Sequence, residues 1–94
     1  MFFYQFDRKN AIEYLKKSSE LFNDLGDFDL FVESNYNIGQ VYFDEGQIVQ
    51  ALNIYKKAYA MKDRIKDKKI VSTIYSNIAV IYISHYLGGR YTYQ

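Results

Sequence analysis

Apolar residues recur along this 94-residue chain at intervals of three and four, the spacing that lines one face of a helix. From Lys9 to Leu25 the stripe is Ala11, Ile12, Leu15, Leu21, Phe22 and Leu25. Asp7 is placed to cap its start and Gly26 to end it. A second helix is predicted from Asp27–Asp29 to about Glu45 and carries Leu30, Phe31, Ile38, Val41 and Tyr42. Its two early aspartates sit at the end of the helix dipole that favours negative charge. Gly46 makes a turn. A third helix starts near Gln47 and carries Ile48, Leu52, Tyr55, Tyr59 and Ile65, with Lys62, Arg64 and Lys66 at its C-terminal end. Asp67 is placed to cap a fourth helix, which runs to about Tyr86 and ends at Gly88-Gly89; Met1 to Gln5 reads as the end of an earlier helix. No proline occurs, so glycine and aspartate supply the punctuation. The pattern is all-α.

The helices repeat. An offset of 40 residues pairs Ala11-Ile12 with Ala51-Leu52, Lys16-Lys17 with Lys56-Lys57, and Asp27 with Asp67. The same offset pairs Asn37-Ile38-Gly39 with Asn77-Ile78-Ala79, and Tyr42 with Tyr82. Small residues match small ones and aromatics match aromatics across two helices and a loop, which two unrelated amphipathic helices would not produce. Ile38, Gly39 and Tyr42 share one helix face, and Ala51, Tyr55 and Ala58 share another. Gly39, Ala51 and Ala58 let two backbones approach, and the larger residues fill the gap between them.

The run Asn35-x2-Ile38-Gly39-x2-Tyr42, then Gly46, then Ala51-x3-Tyr55-x2-Ala58, resembles the tetratricopeptide repeat. That resemblance implies antiparallel helix hairpins stacked as a short right-handed solenoid. It divides one domain, 1–94, into a half repeat 1–31, a full repeat 32–71 and a half repeat 72–94. The sequence departs from the family's pattern in three places. Asn35 stands where a large aromatic is usual, although Tyr75 supplies one in the next unit; Asp63 stands where proline is common; and the period is 40, against about 34. Longer periods resemble the repeat domains of bacterial peptide-sensing regulators, including the Rap family, and equally those of repeat-bearing sensor kinases and transcription regulators. The segment Phe6 to Tyr42 is similar to the first group, and Asp67 to Tyr82 is similar to the second equally well. Phosphatase action of the Rap kind would need a separate N-terminal helical part.

Composition narrows the function classes. Without cysteine there is neither a disulfide framework nor a thiolate metal site, which agrees with a reducing cytoplasm. The longest apolar run, Ile78 to Ile83, has six residues, far short of the roughly 20 a membrane span needs. His85 is the only histidine, and a single imidazole makes no metal centre. Asp44 and Glu45 are neighbours on a helix, so their carboxylates diverge and form no acid–base pair. No glycine-rich loop suited to phosphate is present. The expectation is a protein that is not an enzyme and needs no cofactor.

The net charge of +1 conceals an asymmetry: −5 before Gly46 and +6 from Gly46 onward, with the basic residues gathered between Lys56 and Lys69. A basic run of this kind is usually a solvated helix face, and Asp63 and Asp67 interrupt it; nucleic acid is the lesser alternative. Opposite charge in the two halves also raises head-to-tail self-association as a hypothesis.

In the resembled family the first helix of each hairpin lines a concave groove. Carried over residue by residue, that implies a partner surface of Glu33, Tyr36, Asn37, Gln40 and Asp44, continued by Thr73, Asn77 and Val80. Phe43 neighbours the set but is expected to pack between repeats. Asn37 and Asn77 lie one period apart, and an asparagine amide is both donor and acceptor. Two readings of the pair stay open: a ladder gripping the backbone of an extended peptide, as in the peptide-sensing regulators, or local hydrogen bonding at a common repeat position. A non-enzymatic scaffold for a protein or extended peptide is the function these features favour; the alternative that the resemblance implies is a Rap-like regulator, or a fragment of one, that binds a response regulator or a signalling peptide.

Overall fold

The computed structural model describes residues 2–87, with side chains from 7 to 86. Helix α1 spans Phe2–Leu25, α2 Phe28–Asp44, α3 Ile48–Ala60 and α4 Lys68–Ile81. A 3-10 turn, Lys62–Arg64, follows α3, and a π-helical stretch, Tyr82–Leu87, follows α4. Among the described residues there is no strand. Each helix folds back on the one before it, and α2 also touches α4.

Two turns of one design join the first three helices. Gly26 and Gly46 both hold positive φ, +78° and +81°. Behind them the amides of Asp27 and Gln47 donate five residues back, to the carbonyls of Phe22 and Tyr42. This closure satisfies carbonyls that the helix end would leave bare, and it needs a left-handed residue that glycine supplies without strain. The 40-residue offset is visible at the helix starts. Asp27 caps α2 by accepting from the Leu30 amide, and Asp67 caps α4 by accepting from the Lys69 amide.

The core is formed by Val32, Ala51, Leu52, Tyr55, Ala58, Ile65, Ile74 and Ile81. It therefore belongs to α2, α3, the loop after α3, and α4. Gly39 permits the close approach of α2 and α3. A Cβ there would lie 2.8 Å from Cε1 of the Tyr55 ring. Phe43 packs against this core, as expected.

Four expectations are corrected. Helix α1 runs unbroken through Asp7, so Asp7 caps nothing and Gln5 belongs to the same helix. A cap needs non-helical backbone, and with no glycine or proline before Gly26 nothing breaks the helix there. Helix α3 ends at Ala60, so Ile65 is not on it. The chain winds once as a 3-10 turn and becomes extended at Ile65, which inserts into the core at 1% exposure. Its counterpart one period earlier, Leu25, is the last residue of α1 and is 69% exposed. The fourth helix loses α geometry after Ile81. Leu21, placed on the apolar stripe of α1, points largely outward. The stop at Gly88-Gly89 lies outside the described residues.

The offset also relates two unlike junctions. Between α1 and α2, the Asn35 amide donates to Ser19 Oγ at 3.0 Å and to the Phe31 carbonyl at 2.9 Å. One period later Tyr59 and Tyr75 stand at those places, with ring centroids 5.6 Å apart. The polar Asn35, a departure from the family pattern, is thus half of a polar pair where the next unit has an aromatic one.

Candidate functional site

On α2 the residues Glu33, Asn37, Gln40 and Asp44 follow one another at spacings of four, three and four, which places them on one ridge. On α4, Thr73, Asn77 and Val80 repeat the first three of these places. Glu33, Asn37, Asp44, Thr73 and Val80 are exposed; Tyr36, Gln40 and Asn77 are half-buried.

The half-buried members interlock. The Asn77 amide donates to the Tyr36 hydroxyl, joining α4 to α2. The Tyr36 ring lies against Tyr55 of α3, with centroids 5.3 Å apart, and the Tyr55 hydroxyl donates to Gln40 Oε1 at 2.9 Å. One network of Asn77, Tyr36, Tyr55 and Gln40 therefore holds three helices in register. Burial pushes both phenols above the ordinary tyrosine value. For Tyr55 the neighbouring Tyr36 and Asp44 add to the effect, whereas for Tyr36 the Asn77 hydrogen bond opposes it. Both phenols stay neutral at physiological pH, so Tyr55 keeps the proton it donates to Gln40.

Beside the network lies a cleft of about 180 Å³ lined by Glu33, Tyr36, Asp67, Lys69, Ile70 and Thr73. It brings together three of the predicted residues, Glu33 and Tyr36 from α2 and Thr73 from α4. Asn37, Asp44 and Val80 lie outside it. Asn37 is exposed while Asn77 is engaged with Tyr36, so the two asparagines, equivalent in sequence, differ in surroundings. Asp67, Lys69 and Ile70 were missed from sequence. Ile70 precedes Thr73 by three and Asn77 by seven on α4, so extending that stripe by one turn would have found it.

The cleft is positioned by Asp29. Its two carboxylate oxygens accept the amides of Lys66 and Asp67, each at 2.9 Å, which fastens the entry of α4 to the first turn of α2. These backbone donors hold the Asp29 carboxyl below its ordinary value, with a smaller contribution from the nearby lysines. The aspartate placed by its sequence position for the helix dipole acts as a long-range clamp.

Much of the basic segment is used internally. The Lys68 ammonium donates to the carbonyls of Lys62 and Ile65, at 3.0 and 2.6 Å. Lys62 lies over the Tyr59 ring and Arg64 over the Phe28 ring, 4.8 and 4.0 Å from the centroids. Lys62 and Lys68 thus tie down the α3–α4 loop, and Arg64 ties it to α2. Among the described residues no group of three His, Cys, Asp or Glu could hold a metal ion, and no helix is long and apolar enough to cross a membrane.

No curated protein and no solved structure matches the chain. Residues 32–64 match the sequence model of the tetratricopeptide repeat. The match begins within α2, crosses the Gly46 turn and covers α3 and the 3-10 turn after it. Gly39 against Tyr55, the Gly46 turn and the buried Ala51 and Ala58 all fall inside it, so the stretch 32–64 is similar to a tetratricopeptide repeat.

Proposed function

We propose that this chain is a non-enzymatic scaffold that binds a protein or an extended peptide along the side formed by α2 and α4. Tetratricopeptide repeats generally mediate protein–protein interaction. The observation that carries the reading here is the cleft in which Glu33 and Tyr36 of α2 meet Thr73 of α4. The contact surface on this reading is Glu33, Tyr36, Asn37, Gln40, Asp44, Thr73, Asn77 and Val80. The half, full and half repeats 1–31, 32–71 and 72–94 are part of the same proposal. A preorganised surface binds with less ordering cost, and the Tyr36–Asn77 bond supplies that rigidity.

The test compares wild type with a Glu33→Ala, Asn37→Ala, Asp44→Ala variant as bait for the same cell extract. All three residues are exposed, so the fold should persist, as circular dichroism can verify. The variant is expected to lose partners that wild type captures. Equal capture of one set of proteins by both baits would rule out the α2 ridge as the binding surface.

A further inference from the structure

We propose that the cleft between α2 and α4 seats a lysine or arginine side chain, so that the bound segment is a basic one. The proposal rests on the peptide-binding reading above and specifies its partner. The cleft has the two parts such a side chain requires. Tyr36 and Ile70 offer apolar surface for an aliphatic stem, and Glu33 and Asp67 offer carboxylates for its charged head. At about 180 Å³ it has room for one long side chain.

The electrostatics favour a cation. Helix α2 carries Asp29, Glu33 and Asp44 and neither lysine nor arginine. Asp29 is committed to the amides of Lys66 and Asp67, which leaves Glu33 and Asp44 exposed on the ridge. The cleft is lined by two acidic residues, Glu33 and Asp67, and one lysine, Lys69; one oxygen of Asp67 accepts the Lys69 amide, which leaves its other oxygen and the Glu33 carboxylate for a cation. An acidic side chain would meet Lys69 but also both carboxylates; a basic one meets the opposite balance. The Thr73 hydroxyl does not alter it, since it donates to the Lys69 carbonyl at 2.9 Å. The chain already places cations on its own aromatic rings, Lys62 on Tyr59 and Arg64 on Phe28, and an aromatic residue, Tyr36, also lines the cleft.

The experiment is fluorescence anisotropy of the whole chain with three labelled peptides of equal length: Gly-Ser-Lys, Gly-Ser-Glu and Gly-Ser-Gln units, each repeated four times. The lysine peptide is expected to bind tightest, and more weakly as salt rises, because salt screens exposed charge. Glu33→Gln should weaken it roughly two- to fivefold and Lys69→Gln should tighten it by a similar factor, the size of an exposed charge pair. Glu20→Gln, which removes an exposed acid from α1, should change little. Equal losses from Glu33→Gln and Glu20→Gln, or none from Glu33→Gln, would overturn the cleft as the cation's seat. Tighter binding of the glutamate or glutamine peptide, abolished by Asn37→Ala with Asp44→Ala, would overturn the basic partner and leave the binding surface standing. Failure of all three peptides to bind would count against both.

Discussion

At the scale of single residues, the fold depends on a glycine that admits a ring and a carboxylate that holds a loop. Gly39→Ala would gain up to about 1 kcal/mol of helix propensity. It would also place a methyl 2.8 Å from the Tyr55 ring, which is 1% exposed and has nowhere to move. Overpacking of this kind costs about 1–3 kcal/mol, so the expected outcome is a net loss of stability in urea unfolding. Tyr55→Leu, added to Gly39→Ala, should cost less than the sum of the two single changes, because it removes the clashing ring; additivity would show that the two residues are not coupled. Asp29 gives a pH dependence whose sign is fixed. Its folded pKa lies below its unfolded one, so its contribution is present above the unfolded value of 3.8 and is lost as pH falls through the folded value. Asp29→Asn should lower the melting temperature at neutral pH, and the gap from wild type should close as the solution is acidified. A gap that persists at the lowest pH would mean that the ionised clamp is not what Asp29 contributes.

At the scale of elements, what could be read from sequence was local chemistry, and what could not was the path of the chain between helices. Gly26, Gly46, Asp27 and Asp67 act within a few residues of themselves, and each does what its type at that place implies. The Ile65 loop differs because an isoleucine at helical spacing looks the same whether it continues a helix or drops into the core after one. Only the space between α2, α3 and α4 decides. The same limit hid Asp29, whose partners are 37 and 38 residues away, and the cleft residues at the start of α4. Of the predicted surface, the helix and face were legible through the 40-residue offset, but not the divergence of Asn37 and Asn77. Asn77 differs from Asn37 through its bond to Tyr36, 41 residues earlier in the chain, a long-range contact that the residue types at the two equivalent positions do not encode. The turns themselves are testable. A Cβ at Gly46 would meet nothing, so Gly46→Ala should cost only the left-handed backbone strain, about 1–2 kcal/mol. Gly46→Asn should lose less, since asparagine tolerates that region; equal losses would indicate that φ is not the constraint.

At the scale of the whole molecule, stability and charge are both unevenly distributed. The acidic excess lies on α2 and the basic excess between Lys56 and Lys69. Over its described side chains α1 carries Asp7, Glu13, Glu20 and Asp24 against Arg8, Lys9, Lys16 and Lys17, a neutral balance. Among the described side chains the charge asymmetry therefore runs from α2 to the segment between α3 and α4. Burial is uneven in the same direction. Among the described side chains, every member of the core cluster comes from α2 onward, whereas the one buried residue of α1 is Ser19, held by Asn35. Stacked repeats gain stability from each interface separately, and regions with few buried apolar contacts open below the free energy of global unfolding. Helix α1 should thus detach while α2, α3 and α4 remain packed. Native-state hydrogen exchange can check this residue by residue: amides from Ala11 to Phe22 are expected to exchange faster than those around Val32, Ile38 and Tyr55, with α1 opening as one unit. Ser19→Ala, which breaks the polar tie to Asn35, should speed exchange in α1 and leave the α2–α3 amides nearly unchanged. Equal protection across all four helices would mean that the chain unfolds as a single cooperative block, and that the α1–α2 junction is as strong as the core.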